Sequence, residues 1–361
     1  MKKIVICGGH HNSALVVAEA LIKNGHGVFW FGHKYSMMGD KNPSAEYLEV
    51  TAKKIPFYEI RAGKFQPKYK FWQNLLHIPQ GFWQSFKLLQ ELKPDLIFSF
   101  GGYLALPVAC CGWLQGIPIV AHEQTTVSGT ANKLISKMAR KIFVSFESSL
   151  KYFPKNKAIL TGLPIREELF KNKKKLFNNK KKTIYITGGK QGSHIINEEV
   201  FKILPELLRE FNIIHQTGSS TLFSDIKTAQ KIKSENYLAK EYFFENEIGM
   251  VFNNADFVVS RAGAHTVYEL LTLQKPAILI PIPWSSHNEQ LQNAKMLENL
   301  GLAKILTQGN LQKGKLREVI LDFSKNLEKF KLKSNMPLSL SPVSTILREI
   351  ELLEQEVCMF L

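Results

Sequence analysis

Three times along this chain, a short β-forming run ends in a glycine pair and opens a segment of helical periodicity. Residues 3–7 (KIVIC) run into Gly8-Gly9-His10, residues 95–100 (DLIFSF) into Gly101-Gly102-Tyr103, and residues 183–187 (TIYIT) into Gly188-Gly189-Lys190. After the first pair, apolar positions in 13–23 (SALVVAEALIK) recur at helical spacing, Gly25 ends the helix, and 26–32 (HGVFWFG) is the next strand. Strands separated by whole helices pair in parallel, and a parallel sheet needs helices on both faces. The expected class is therefore α/β, with doubly wound parallel sheets.

The same alternation continues through strands at 117–121 and 141–144, then breaks. Residues 171–182 read KNKKKLFNNKKK, with seven lysines and three asparagines, which suits only a solvated loop. The pattern restarts with a helix at 195–211 and strands at 213–216, 257–260 and 277–281. A chain of 361 residues is too long for one ordinary core and fits two of about 150–200 residues. We expect two Rossmann-like domains facing a cleft, 1–165 and 166–340. In the remaining stretch, 341–361, an amphipathic helix over 344–357 (Ile346, Ile350, Leu353) is expected to pack across them.

The formal charge of +16 would draw anions such as nucleic acid, phosphorylated substrates or an anionic membrane, or it is a lysine-rich background. Nucleic acid rests on charge alone and is not an expected partner. The apolar stretch 104–121 is interrupted by Pro107, Gly112, Gly116 and Pro118, so it reads as buried helix, turn and strand rather than a membrane span. Any membrane role is expected to be peripheral. The four cysteines have no metal-type spacing and suit a reducing cytoplasm. In 64–90, Phe71, Trp72, Trp83 and Phe86 interleave with Lys64, Lys68, Lys70 and Lys87. That mixture fits an interfacial membrane contact, single-stranded nucleic acid, or a helix pair whose apolar stripe is core.

A fourth loop, 260–265 (SRAGAH), also opens a helix, at 266–273. Helix starts rich in glycine expose unpaired N–H groups and a positive dipole end, which hold phosphate well. None of these loops is GxGxxG or GxxxxGK[ST], which disfavours hydride transfer and P-loop chemistry. His10, at the mouth of the first loop, is a candidate general base. Glu269, one turn into the fourth helix, could accept hydrogen bonds from a ribose diol. His287, Asn288, Glu289, Gln290 and Asn293 form a polar cluster after the strand at 277–281.

Over residues 1–305 these motifs, in order, resemble the MurG family. Its GGH-x-x-PALAVAE pattern is matched from Gly8-Gly9-His10 to Glu19, and GGYxxxP by Gly101-Gly102-Tyr103 with Pro107. HEQN is matched by His122-Glu123-Gln124-Thr125, followed by Asn132-Lys133, and GNP[VI]R by Gly162-Leu163-Pro164-Ile165-Arg166. GGSQGA is matched by residues 188–193. SGAxTxxE is matched through Ala264, His265, Thr266, Val267, Tyr268 and Glu269, and the closing pattern by Asn288-Glu289-Gln290 to Ala294.

The resemblance implies the GT-B fold and inverting transfer of GlcNAc from UDP-GlcNAc to a muramyl-pentapeptide on undecaprenyl pyrophosphate, at the cytoplasmic face of the membrane. It implies a donor site of Arg166, Lys190, Ala264 to Glu269 and Gln290, with Gly8, Gly9 and Thr125 also contacting substrate. Phe244 and Glu245 would line a uracil pocket, and His10 would be the base. Gly101, Gly102, Tyr103, His122, Glu123 and Asn132 would form the acceptor side. No DxD motif is present, so neither a metal nor a cofactor is expected. The chain departs from the family in its shortened first loop, and at Thr125, Leu163 and Lys190, where Asn, Asn and Ser are usual. Other readings left open are a related transferase with another lipid acceptor and a non-catalytic sugar-nucleotide-binding subunit.

Overall fold

The computed structural model describes residues 1–9, 11–35, 43–63, 71–220, 222–285, 288–333 and 341–359, leaving aside the side chains at 71–77, 245 and 354–359. The chain forms two compact units, Met1–Ile165 with Ser339–Leu361, and Arg166–Leu338.

The first unit is a seven-stranded sheet built from β1 (Lys3–Cys7), β2 (Gly27–Gly32), β3 (Phe57–Glu59), β4 (Leu96–Ser99), β5 (Ile119–Glu123), β6 (Lys141–Val144) and β7 (Ala158–Leu160). All neighbours are parallel, in the order β3-β2-β1-β4-β5-β6-β7. Successive side chains of a strand point to opposite faces. Ile4 and Ile6 therefore join one core with Trp30, Phe98 and Phe143, while Val5 and Cys7 join the other with Phe31, Ile97 and Val108. The stretch 104–121 holds the helix Ala105–Leu114, a turn and the start of β5.

The last helix, Pro342–Met359, lays Ile346, Ile350 and Leu353 into the first of these cores. Each of these side chains contributes about 1.5–3 kcal/mol by leaving water. The ion pair of Lys141 with Glu349, at 3.2 Å, ties the same helix to β6.

The second unit has β8 (Lys182–Thr187), β9 (Phe211–Gln216), β10 (Tyr237–Lys240), β11 (Phe257–Ser260), β12 (Ala277–Leu279) and β13 (Ala303–Ile305). Their order is β10-β9-β8-β11-β12-β13, again all parallel. Both orders reverse direction once, at β1/β4 and at β8/β11. Such switch points open a crevice at the carboxyl ends of the strands, where ligands bind in α/β sheets.

The region 64–90 is described from residue 71 on. There the chain is one continuous helix, Phe71–Leu92, with Pro79 inside it, and not a helix pair. Phe82 and Leu89 face the core, while Trp83 and Phe86 are exposed. No described helix is long and apolar enough to cross a membrane.

Candidate functional site

In the first unit the two glycine pairs meet at the β1/β4 switch point. Gly9 N donates to Gly101 O at 3.0 Å. Gly8, at φ +133°, lies so close that a Cβ there would come within 2.7 Å of the Phe100 carbonyl carbon. Only glycine tolerates both demands. His10 lies outside the described residues.

Beneath these loops is a buried polar cluster. The Glu123 carboxylate accepts from Thr125 N (3.1 Å), Thr125 Oγ1 (2.9 Å) and Asn132 Nδ2 (3.0 Å). Asn132 fills the space under Gly101, where a Cβ would lie 2.6 Å from its Oδ1. Ser149 Oγ donates to Thr125 O, and His122 Nε2 lies 3.2 Å from Gly162 O. His122, Glu123, Thr125 and Asn132 are thus buried residues that hold the loops, whereas Tyr103 is partly exposed at their edge, its ring 5.7 Å from His33. Thr125, where the family has Asn, turns its hydroxyl inward to Glu123.

In the second unit the β8/β11 switch point brings together the loop 188–193 and the loop 261–263. The first opens the helix His194–Glu210, and the second the helix Ala264–Thr272. Gln216, at the end of β9, organises the first loop. Its Nε2 donates to Thr187 Oγ1 and Gly189 O, both at 3.0 Å, and its Oε1 accepts from Phe243 N and Tyr185 OH. Residues 217–220 zip against that loop through Ser219 N to Lys190 O and Ser220 N to Gln191 O. The Lys190 ammonium stands 5.2 Å over the Tyr242 ring, which meets exposed Phe244 edge-on. Phe244 is the residue just before the helix Glu245–Asn254, its backbone N–H donating to Glu247 Oε2; the Glu245 side chain lies outside the described residues.

The stretch 264–269 divides by burial. Ala264, Val267 and Tyr268 are core, while His265, Thr266 and Glu269 lie at the partly exposed surface, with His265 Nδ1 3.8 Å from Glu269 Oε1. On the helix Glu289–Asn299, Gln290 Oε1 accepts from Ile282 N and Asn293 Nδ2 donates to Ala262 O, so this helix supports both neighbouring loops. Half-buried Arg166 precedes the turn Glu167–Phe170, which approaches the helix Glu245–Asn254 at Gly249. His287 lies outside the described residues.

The donor-side candidates thus all lie in the second unit, Lys190 and Phe244 on loops and Glu269 and Gln290 on the helices Ala264–Thr272 and Glu289–Asn299. The structure also adds two residues to which the motif comparison assigned no role. Gln216 carried no signal beyond its place at a strand end. Arg261 carried only its place in a glycine loop, yet it is buried and bonded to three other segments. Among the described residues, no cluster of three or more His, Cys, Asp or Glu is placed to hold a metal.

Residues 7–144 match the glycosyltransferase family 28 N-terminal domain, and residues 183–349 the glycosyltransferase family 28 C-terminal domain. The chain is 33% identical, over 97% of its length and 99% of the relative's, to a Bacillus cereus UDP-N-acetylglucosamine–N-acetylmuramyl-(pentapeptide) pyrophosphoryl-undecaprenol N-acetylglucosamine transferase. It is 36% identical to a Clostridium perfringens transferase of the same description, over 91% of the chain and 92% of the relative. The Acinetobacter baumannii MurG crystal structure superposes with a TM-score of 0.69 at 24% identity, covering 97% of this chain and 99% of that one. The fold is shared more widely: a Staphylococcus aureus MnaA–UDP structure gives a TM-score of 0.68 at 12% identity, covering 97% and 96%. With two parallel Rossmann-like sheets and full-length relatives of one description, this chain belongs to the MurG family of GT-B glycosyltransferases and is a hexosyltransferase.

Proposed function

We propose that this enzyme transfers N-acetylglucosamine from UDP-GlcNAc, with inversion, to the 4-hydroxyl of a muramyl-pentapeptide carried on undecaprenyl pyrophosphate. The observation that carries the reading is the near full-length identity to transferases bearing that description. In this reading the uracil lies by Phe244 and Glu245, and Glu269 accepts from the ribose hydroxyls. Arg166, Lys190, the helix start at residues 264–266 and Gln290 hold the diphosphate and sugar, while Val267 and Tyr268 are buried beneath them, with Val267 N donating to Gly263 O.

The loops of the first unit, Gly8-Gly9 and Gly101-Gly102 with Tyr103 at their edge, receive the acceptor over the buried His122–Glu123–Thr125–Asn132 support. His10 takes the proton of the 4-hydroxyl as its oxygen attacks C1. The bond from C1 to the β-phosphate oxygen breaks, and UDP leaves with the electron pair. Charge builds on that diphosphate, and helix N-termini fixed in advance stabilise it without reorganising.

The acceptor reading places the enzyme peripherally on the cytoplasmic face of an anionic membrane. Trp83 and Phe86 are exposed on the helix Phe71–Leu92, where Gln115 Nε2, just past the end of the helix Ala105–Leu114, donates to Phe86 O at 3.1 Å. Lys87 stands over Trp83 at 5.6 Å. Aromatic and basic groups together suit a headgroup boundary.

Incubation with labelled UDP-GlcNAc and a lipid-linked muramyl-pentapeptide tests the reaction. Label in the lipid with equal release of UDP is expected. Release of UDP without label in the lipid would mean a different acceptor.

A further inference from the structure

The loop 261–263 carries a positive charge that no part of the described protein neutralises. Arg261 is 8% exposed. Its Nη1 donates to Ile280 O at 3.0 Å, and its Nη2 to Ser193 Oγ at 2.9 Å and Gln308 Oε1 at 3.0 Å, while Nε finds no partner. All three acceptors are neutral. Buried guanidinium groups are normally paired with a carboxylate, because an isolated buried charge is costly.

The surroundings add to the imbalance. Ser193 is the residue that starts the helix His194–Glu210, yet its hydroxyl makes no capping bond to that helix and accepts from Arg261 instead. The helix Ala264–Thr272 starts at Gly263, which has no side chain to cap with. Two uncapped helix starts, each with a partial positive charge, thus flank one buried cation. Asp225, the acid bonded to the first turn of the longer helix, goes to His194 at 2.8 Å and Asn197 at 2.7 Å. Burial alone pulls the guanidinium down to about 10, still far above neutrality, so it stays charged.

We infer that Arg261 belongs to the diphosphate subsite as a buried positioning cation, whose missing counter-ion is the diphosphate of the donor and, as the sugar leaves, of UDP. The inference rests on the reading of this unit as the nucleotide site. Arg261 acts in two ways. It draws the Ser193 hydroxyl away from the helix start, leaving the first N–H groups for the ligand, and it adds charge from below in a region of low dielectric.

Equilibrium binding of UDP and of uridine to the full-length enzyme separates this from a structural role. Arg261→Gln and Arg261→Met remove the charge, and Arg261→Lys keeps it. Either neutral variant that melts cooperatively reads the test. We expect UDP affinity to fall about tenfold to a hundredfold with uridine affinity unchanged, and Arg261→Lys to recover most of the loss. Equal losses for UDP and uridine, or no loss for UDP, would overturn the inference. Failure of the unaltered enzyme to bind UDP would instead overturn the reading beneath it.

Discussion

A Cβ atom on Gly218 would lie 2.1 Å from the Cα of Gly192, so the two loops that shape the second unit's glycine cradle meet backbone to backbone. Both residues have positive φ, +91° and +80°. Gly218→Ala combines left-handed strain of about 1–3 kcal/mol with overpacking of about 1–3 kcal/mol. We expect a fall in the denaturant midpoint and a parallel loss of UDP affinity. Gly309→Ala is the control: nothing lies within 4 Å of its added Cβ, and in a helix it should be neutral or stabilising by about 0.5–1 kcal/mol.

Glu46 gives the first unit a pH dependence. Its Oε1 accepts from Trp30 Nε1 at 2.7 Å, and burial raises its carboxyl from 4.5 to about 7 against the lowering effect of that bond and one from the His33 backbone. The folded protein thus holds a proton that the unfolded chain releases. The resulting stability is fully present below pH 4.5 and is lost as pH rises through 7, by less than about 3 kcal/mol in total. Thermal melts from pH 5 to 8 should show this decline, and Glu46→Gln should flatten it. An unchanged slope in the variant would refute the assignment.

Glu123 is expected to matter through the loops it holds. Glu123→Gln puts an amide N–H₂ or a single carbonyl before three donors, and a buried donor left unpaired costs about 1–3 kcal/mol. Thr125→Val removes one of those bonds and should cost about 1 kcal/mol. Chemical denaturation would measure both. The prediction fails if Thr125→Val costs more than Glu123→Gln.

Lys190 brings a full charge to a position where the family has a hydroxyl. Lys190→Ala should weaken UDP-GlcNAc binding roughly threefold to tenfold at low salt, with a smaller effect at high salt as screening takes over. Unchanged donor affinity would remove Lys190 from the site.

Vesicle flotation checks the membrane surface. Trp83→Ser should reduce binding to anionic vesicles several-fold while leaving the melting temperature nearly unchanged, since the side chain is more than half exposed. Equal flotation of the variant would remove this face from the membrane contact.

The parts of the fold legible in the sequence were those with a strong local pattern. β1, β4, β8 and β11 are central, buried on both faces, and their runs of Ile, Val and Phe stand out. The edge or near-edge strands β3, β7, β10 and β13 have three or four residues each, mostly half-exposed, and left no pattern to read. The helix starts were displaced by a residue or two, as at Ala264 rather than Thr266, because glycine permits several starting points. The glycine loops were legible at Gly8, Gly101 and Gly189, whose positive φ requires glycine, whereas Gly218, which meets Gly192 backbone to backbone, gave no signal in the sequence.

The sequence by itself determined two parallel doubly wound sheets, a basic loop between them, and four glycine loops each opening a helix. These follow from local spacing and from the steric demands of glycine. Only the tertiary structure decided which loops meet. Crossover order set Gly9 against Gly101 and Arg261 against Ser193, residues 92 and 68 positions apart. It also decided that Glu123 and Asn132 turn inward as support while Phe244 stays exposed. Burial and long-range pairing depend on the order of strands in the sheet, which no short stretch of sequence contains.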